Sequence, residues 1–383
     1  MKTLIELKGS ILTFLAGLLI FSGVINLAAG DVTLSPTITF NGEEAREGIL
    51  EEAFKKPEMT RFHTVVGGIV AKKQIAFLQR FSKVTLADTG CGTGMSEKAI
   101  PMYEKFWEPA LLKIWLTPCW YAFKDQFYVW GQKRGIARAD LSNTDLAEYL
   151  MEVIGDAAFE DALRMAWFGD ESAAKYDAGG VLLDSADAVY YNLFDGFFKQ
   201  IITGVAISAG TYGHVPNHSI AQNALATFNT QSLLTDGQSR DIFRAMITGS
   251  DRRLLQHPER MIICTQSIFD NWADYKESKN LESSFKNEDS QLWESIFRST
   301  PIIPFPLWDQ YIRADHQNGT KYDKPHRAVL TIPQNLQIGF DNTDEYTNFE
   351  TFLDKTTEKY HIKGGYKMDA VFMAGYLASV AGF

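Results

Sequence analysis

A helical repeat of apolar positions runs through one long stretch of this chain, NTDLAEYLMEVIGDAAFEDALRMAWFGD, which ends at Asp170. The residues that keep the spacing are Leu146, Leu150, Val153, Ala157 and Leu163, and Tyr149, Ile154 and Phe159 widen the apolar face. Gly169 offers a stop signal. At about 1.5 Å per residue, such a helix spans roughly 40 Å. The pattern is typical of a long structural helix to which flanking segments attach, and equally of a core helix in an ordinary enzyme.

Shorter patterns on both sides of this stretch predict a mixture of strands and helices, an α+β chain. A loop at Ala178-Gly179-Gly180 indicates a domain boundary. The remaining predicted helices are 43–54, 190–205, 236–247, 266–275 and 281–297. The predicted strands or extended segments are 31–40, 63–85, 261–265, 301–306, 326–339 and 348–362.

Composition is that of a globular chain long enough for two or three domains. The 383 residues are 45% hydrophobic and 22% charged, which excludes wholesale disorder. A formal net charge of -10 argues against a dedicated nucleic-acid binder, although not against a protein that encloses nucleic acid. Cys91, Cys119 and Cys264 are far apart and form neither a disulfide framework nor a zinc motif, which fits synthesis in a reducing cytoplasm.

The N-terminal segment changes this picture. Residues 10–30 carry no charge and follow Lys2 and Lys8, so they resemble a secretory signal and are just long enough to span a bilayer. An exported or membrane-anchored binding protein is therefore one hypothesis. An apolar arm buried against neighbouring subunits is the alternative explanation of the same segment.

The sharpest local motif is DTGCGTG, at Asp88–Gly94. It resembles the cofactor loop of S-adenosylmethionine-dependent methyltransferases, in which glycines let the backbone approach the cofactor. The context does not support that function. Pro101 interrupts the helix that should follow, and no acidic residue ends the next apolar run, 111–117. A Gly-rich turn that joins two strands is the favoured interpretation.

Residues that could perform catalysis are not grouped in any known pattern. The chain has no G-x-S-x-G, H-E-x-x-H, C-x-x-C or Walker A motif. The pair Asp156 and Glu160 fits a solvated helix face better than acid–base chemistry, and His214 and His218 flank Pro216, which disfavours a helical metal site. We therefore expect no enzyme, no catalytic residue, no metal and no cofactor, and favour an architectural role.

Two features suit contacts between subunits. Basic residues lie among apolar ones in the strand-like segment 63–85, namely Lys72, Lys73, Arg80 and Lys83. An aromatic stripe follows at 104–130 and includes Trp107, Trp115 and Trp120. Such stripes are usually core or interface. The alternative explanation of these basic residues is that they lie on a solvent-exposed face of a strand.

The chain resembles the major capsid proteins of tailed bacteriophages with the HK97-like fold, particularly those of phages of Bacteroidetes-type hosts. The resemblance lies in the number and order of several phrases. They are FNGEEAREGILEEAF (40–54), GGIVAKKQIAFL (67–78), CGTG with EKFWEPALLKIWL (91–116), ALRMAWFGD (162–170), NLFDGFFKQI (192–201), PIIPFPLWDQYIR (301–313), HRAVLTIPQNLQIGFD (326–341) and KGGYKMDA (363–370).

The resemblance implies five regions. They are an N-terminal arm (1–38), an extended loop region (39–95), a peripheral domain with a long spine helix (96–178), an axial domain (179–319) and the C-terminal strands of the peripheral domain (320–383). The spine would be the long helix described first. The apolar character of the arm departs from the family, whose arms are more often polar or amphipathic.

The resemblance also implies a function. Many copies would form pentamers and hexamers and close into an icosahedral shell around packaged DNA, without sequence-specific DNA binding and without a membrane. The shell belongs to the virion, is made in the host cytoplasm, and has portal or auxiliary capsid proteins as further partners. On this interpretation Lys72, Lys73 and Arg80 meet acidic surface on a neighbour, and Trp107, Trp115 and Trp120 pack nearby.

Overall fold

The computed structural model describes residues 37–39, 57–78, 102–137, 143–172, 188–279, 285–286, 293–341, 350–354, 356–357 and 359–383. Its strands are β1 (Thr37–Thr39), β2 (Thr64–Gly67), β3 (Lys73–Leu78), β4 (Met102–Trp107), β5 (Ala110–Leu116), β6 (Asn217–His218), β7 (Met261–Cys264), β8 (Phe285–Lys286), β9 (Trp293–Phe297), β10 (Thr300–Pro304), β11 (Ala328–Thr331), β12 (Leu336–Asp341), β13 (Glu350–Asp354), β14 (Lys359–Phe372) and β15 (Ser379–Ala381).

Its helices are α1 (Pro57–Phe62), α2 (Trp120–Lys133), α3 (Asn143–Phe168), α4 (Ala188–Tyr191), α5 (Phe197–Ala206), α6 (Phe228–Gln231), α7 (Gln238–Gly249), α8 (Arg252–Leu255), α9 (Gln266–Ser278) and α10 (Pro306–Ala314). The chain divides into two compact units. The smaller unit is Met1–Phe54, Leu111–Glu160 and Asn342–Tyr366, and the larger is Lys55–Ala110, Asp161–Asp341 and Lys367–Phe383.

The prediction of a long helix is confirmed, because α3 runs for 26 residues from Asn143 to Phe168. Its buried row in the smaller unit is Leu146, Leu150, Ile154 and Ala158. The predicted apolar face is wrong at two of its positions. Val153 and Ala157 are exposed, because the buried row passes through the next residue at each turn.

The opposite face of α3 carries a row of exposed carboxylates, Glu148, Glu152, Asp156 and Glu160. Residues four apart are neighbours on a helix surface, so these four lie along one line. Arg134, which follows α2, forms ion pairs with Glu148 and, at 3.0 Å, with Glu152. We call the four residues the acidic row.

The smaller unit joins an aromatic helix pair to a sheet. The rings of Phe127 and Trp130 on α2 lie 5.6 and 5.7 Å from that of Tyr149 on α3. The first part of β14 pairs antiparallel with β13, with Lys363 opposite Glu350. β13 pairs with β1, and β5 pairs with β14. In this unit α3 is amphipathic and the strands are half exposed. Each of these elements therefore has one face in solvent and one face packed inside the unit.

The larger unit is built around a sheet in the order β6-β15-β11-β7-β10-β9-β8. Strand β7 is buried at all four positions, pairs parallel with β10 and antiparallel with β11, and therefore lies inside the sheet. Apolar residues from α7 and α9, such as Phe243, Met246 and Trp272, pack into the same core as the strands. A continuous apolar strand such as MIIC needs cover on both faces.

The last turns of α3 lie in a dense aromatic cluster of the larger unit. Trp167 is fully buried and its ring centroid lies 4.6 Å from that of Trp308 and 5.0 Å from that of Phe197. At Gly169 the helix ends, and a Cβ there would lie 2.5 Å from the Phe194 carbonyl oxygen. Glycine is therefore needed where the two backbones approach.

Several secondary-structure predictions differ from the structure. Residues 281–297 were predicted to be helical, which is wrong, since β8 and β9 lie there. Helix α2 was not predicted. The predicted helix at 43–54 lies outside the described residues. β11 and β15, beyond the predicted domain boundary at residue 319, share a sheet with β7 and β10, and the five-region division stays a prediction.

Candidate subunit-contact surfaces

Strand β3, in the predicted extended loop region (39–95), and strand β4, in the predicted peripheral domain (96–178), form an antiparallel hairpin. Its register runs from Lys73 opposite Trp107 to Leu78 opposite Met102. Gly68, between β2 and β3, has φ of +75°, a conformation that favours glycine and lets the chain leave the sheet. Residues 79–101, which include Arg80 and the DTGCGTG motif, lie outside the described residues.

The antiparallel hairpin bears on the methyltransferase hypothesis. In a nucleotide-binding unit the glycine loop connects a strand to a helix that crosses over to a parallel strand. Here the segment that holds the motif connects two strands that pair antiparallel. This pairing agrees with the simpler interpretation, a Gly-rich connection between strands.

Lys72 lies at the base of the hairpin, and its ammonium group has partners within its own chain. Its ammonium forms an exposed ion pair with the Glu108 carboxylate and lies 4.7 Å from the Phe106 ring centroid. Exposed pairs of this kind contribute about 0–1 kcal/mol, so Glu108 is easily exchanged for another carboxylate. Lys73 is exposed beside it.

Trp107 packs inside the chain rather than on its surface. Only 3% of it is exposed, and it forms a cluster with Ile69 and Val371. A Cβ at Gly339 would lie 2.7 Å from Cζ3 of the indole, so a side chain at 339 would collide with it. The Trp107 indole is thus enclosed by its own chain.

Polar contacts fix the base of the hairpin to β12 and β14. The Glu108 N–H donates to Asp369 Oδ2 at 2.7 Å, and the Ile69 N–H donates to the Phe340 carbonyl at 3.2 Å. The Lys105 ammonium donates to the Phe372 carbonyl. Burial raises the pKa of Asp369 to about 6 and lowers the pKa of Lys105 to about 8. These partners are more than 250 positions apart in sequence, so no local signal could have identified them.

Trp115, in the smaller unit, is the exposed member of the predicted tryptophan set. About half of it, 52%, is open to solvent. The ammonium groups of Lys113 and Lys363 lie 3.8 and 4.9 Å from its ring centroid. Sequence reasoning named Trp115 but missed both lysines. Trp120 is the first residue of α2, and its side chain is not described.

Neither a metal site nor a membrane span is found in the described part of the chain. There, no group of three or more His, Cys, Asp or Glu side chains is placed to hold a metal ion. No described helix combines the length and the apolar character that crossing a bilayer requires. The apolar segment 10–30 lies outside the described residues.

No protein-family model and no curated protein sequence matches this chain. Solved structures do. A chain of the satellite phage P4 procapsid, a particle that includes the size determination protein, is 11% identical, with a TM-score of 0.53 over 88% of this chain and 96% of that chain. The capsid of an empty GTA particle is 7% identical (TM-score 0.48; 93% and 95% covered).

The encapsulin SrpI complex from Synechococcus elongatus is 6% identical, with a TM-score of 0.44 over 94% of this chain and 92% of that chain. The P4 procapsid likeness covers most of both chains. The chain therefore has the HK97-like fold of phage capsid proteins.

Proposed function

We propose that this chain is a major capsid protein that assembles into the pentamers and hexamers of an icosahedral shell around packaged viral DNA. The observation that carries the proposal is the fold likeness to a procapsid chain over 88% of the sequence, with a TM-score of 0.53. The order of sequence phrases that resembles tailed-phage capsid proteins supports it independently.

The arrangement of the chain suits an assembly unit. A hairpin with an exposed, weakly held cation at its base is fixed to the larger unit, and a row of carboxylates is exposed on the smaller unit. Surfaces of opposite charge on the same chain permit head-to-tail contacts, which close into rings. Lys72 and Lys73 are the candidates for the basic side, and Arg80 is added on sequence grounds.

The finer points of the proposal follow from composition and resemblance. The shell encloses DNA without binding its phosphate groups, because a chain of net charge -10 lacks the basic surface that phosphate contact needs. The chain is made in the host cytoplasm and becomes part of the virion, with portal and auxiliary capsid proteins as partners. The sequence phrases point to a phage of a Bacteroidetes-type host.

Negative-stain electron microscopy of the purified chain tests the proposal. We expect rings or closed shells, and an Ile154→Pro variant should form neither. Proline inside α3 removes a backbone hydrogen bond and clashes with the preceding turn, at a cost of ~3 kcal/mol or more. Ile154→Val, which keeps the helix and the buried position, is the matched control and should assemble.

The outcome against the proposal is a wild-type chain that stays monomeric across salt and crowding conditions. Normal particles from Ile154→Pro would contradict the assignment of α3 as the spine helix.

Calorimetry with S-adenosylmethionine on wild type and Gly92→Val tests the methyltransferase alternative, for which we expect no binding heat. N-terminal sequencing of the particle-forming protein tests the exported alternative.

A further inference from the structure

The outward face of β5 is unusually apolar for a surface. Side chains alternate along a strand, so Leu111, Lys113 and Trp115 share one face while Leu112 is buried on the other. Leu111 is 55% exposed and Trp115 is 52% exposed. Two large apolar side chains held open on one strand face indicate a contact surface rather than a solvated one. We call Leu111, Lys113 and Trp115 the β5 face.

Positive charge is held against this apolar surface. The Lys113 ammonium lies 3.8 Å from the Trp115 ring centroid, within cation–π range. Lys363, on the adjacent strand β14, adds a second ammonium at 4.9 Å. No carboxylate of the described residues forms an ion pair with Lys113. Lys113 is therefore the cation whose charge the face presents.

The acidic row of α3 has the complementary character. Its four carboxylates, Glu148, Glu152, Asp156 and Glu160, are all exposed. Val153, an exposed apolar side chain, lies three positions before Asp156 and thus beside it on the helix surface. The acidic row therefore combines carboxylates with an apolar side chain, and the β5 face combines an ammonium group with apolar side chains.

We propose that the β5 face of one copy of this chain docks on the Asp156–Glu160 end of the acidic row of a second copy. The inference rests on the proposed assembly function and names one of its contacts. A second copy is favoured over nucleic acid because a net charge of -10 opposes phosphate contact. The two surfaces differ, so the contact is head-to-tail or forms twice across a twofold axis.

Charge reversal with rescue tests the proposal. Lys113→Glu should lower the yield of particles, measured by sedimentation and electron microscopy, by at least about tenfold, because it places like charges across the contact. Asp156→Lys with Glu160→Lys should cause a similar loss. The combination of all three changes should restore the yield to within about threefold of wild type. Lys133→Glu, at an exposed lysine in the last turn of α2, is the matched control and should leave the yield unchanged.

Two outcomes overturn the inference while the proposed function stands. One is wild-type particle yield from both Lys113→Glu and Trp115→Ser. The other is failure of the triple variant to recover although circular dichroism shows that it folds. Retention of dissociated wild-type subunits on double-stranded DNA, lost in Lys113→Glu, would assign the surface to nucleic acid instead. Absence of any wild-type particle, by contrast, counts against the proposed function itself.

Discussion

Trp107 and Trp115 lie eight positions apart, each follows an apolar residue, and both were predicted to lie near a subunit contact. The first is enclosed by Ile69, Val371 and the bare backbone of Gly339. The second lies open between two ammonium groups. The difference separates two uses of one side chain. A tryptophan closed off by distant segments stabilises its own fold, whereas one flanked by cations on a strand face is available to a partner.

The largest expected effect is that of truncating each tryptophan. Trp107→Ala should lower the free energy of unfolding of dissociated subunits by about 3–5 kcal/mol, since it empties a buried site. Trp115→Ala should lower it by less than about 1 kcal/mol, because its ring is half exposed. Urea denaturation of the two variants measures both. Equal losses of stability would contradict the distinction.

The carboxyl group that holds the hairpin base gives the next largest effect. Burial raises the pKa of Asp369 from 3.8 to about 6, so the folded chain holds this proton more tightly than the unfolded chain. Its contribution to stability is therefore fully present below pH 3.8 and is lost as the pH rises through 6.

Asp369→Asn should remove this pH dependence. The stability of wild type relative to the variant should fall by up to about 3 kcal/mol between pH 4 and pH 7. Comparison with the variant cancels other titrations, such as that of His63, whose pKa burial lowers to about 4. Unfolding free energies at several pH values provide the measurement, and a parallel pair of curves would be the contrary result.

A methyl group at Gly339 probes the enclosure of Trp107 directly. Gly339→Ala places a Cβ 2.7 and 2.9 Å from two indole carbons and should cost about 1–3 kcal/mol. In a Trp107→Ala background the methyl has room, so the same change should cost much less. A double-mutant cycle measures this coupling, and additive losses would place the strain elsewhere.

The smallest effect on stability is expected from the exposed lysines of the hairpin base. Lys72→Glu with Lys73→Glu should change the free energy of unfolding by about 1 kcal/mol or less. Particle yield and salt tolerance should nevertheless fall if these residues meet acidic surface on a neighbour. Glu108→Gln, which removes the internal partner of Lys72, is the control. Unchanged particles would show that the electrostatic part of the assembly proposal is wrong.

Much of the architecture followed from local pattern. Helix α3, strand β7 and the strands at 326–339 were predicted because the spacing of apolar residues indicates the type of element. The secondary-structure prediction failed where the residue pattern fits both a helix and a strand. Residues 293–297, WESIF, fit a charge-rich helix locally but form β9, because β10 supplies a strand to pair with.

The sequence by itself determined the long helix and a chain of α+β type. Only the tertiary structure decided which tryptophan is core and which is surface. The reason is physical: the neighbours that bury Trp107 come from residues 69, 339 and 371, and Lys363, beside Trp115, is also distant in sequence. Burial is set by segments brought together over long sequence separations, and no local period records them.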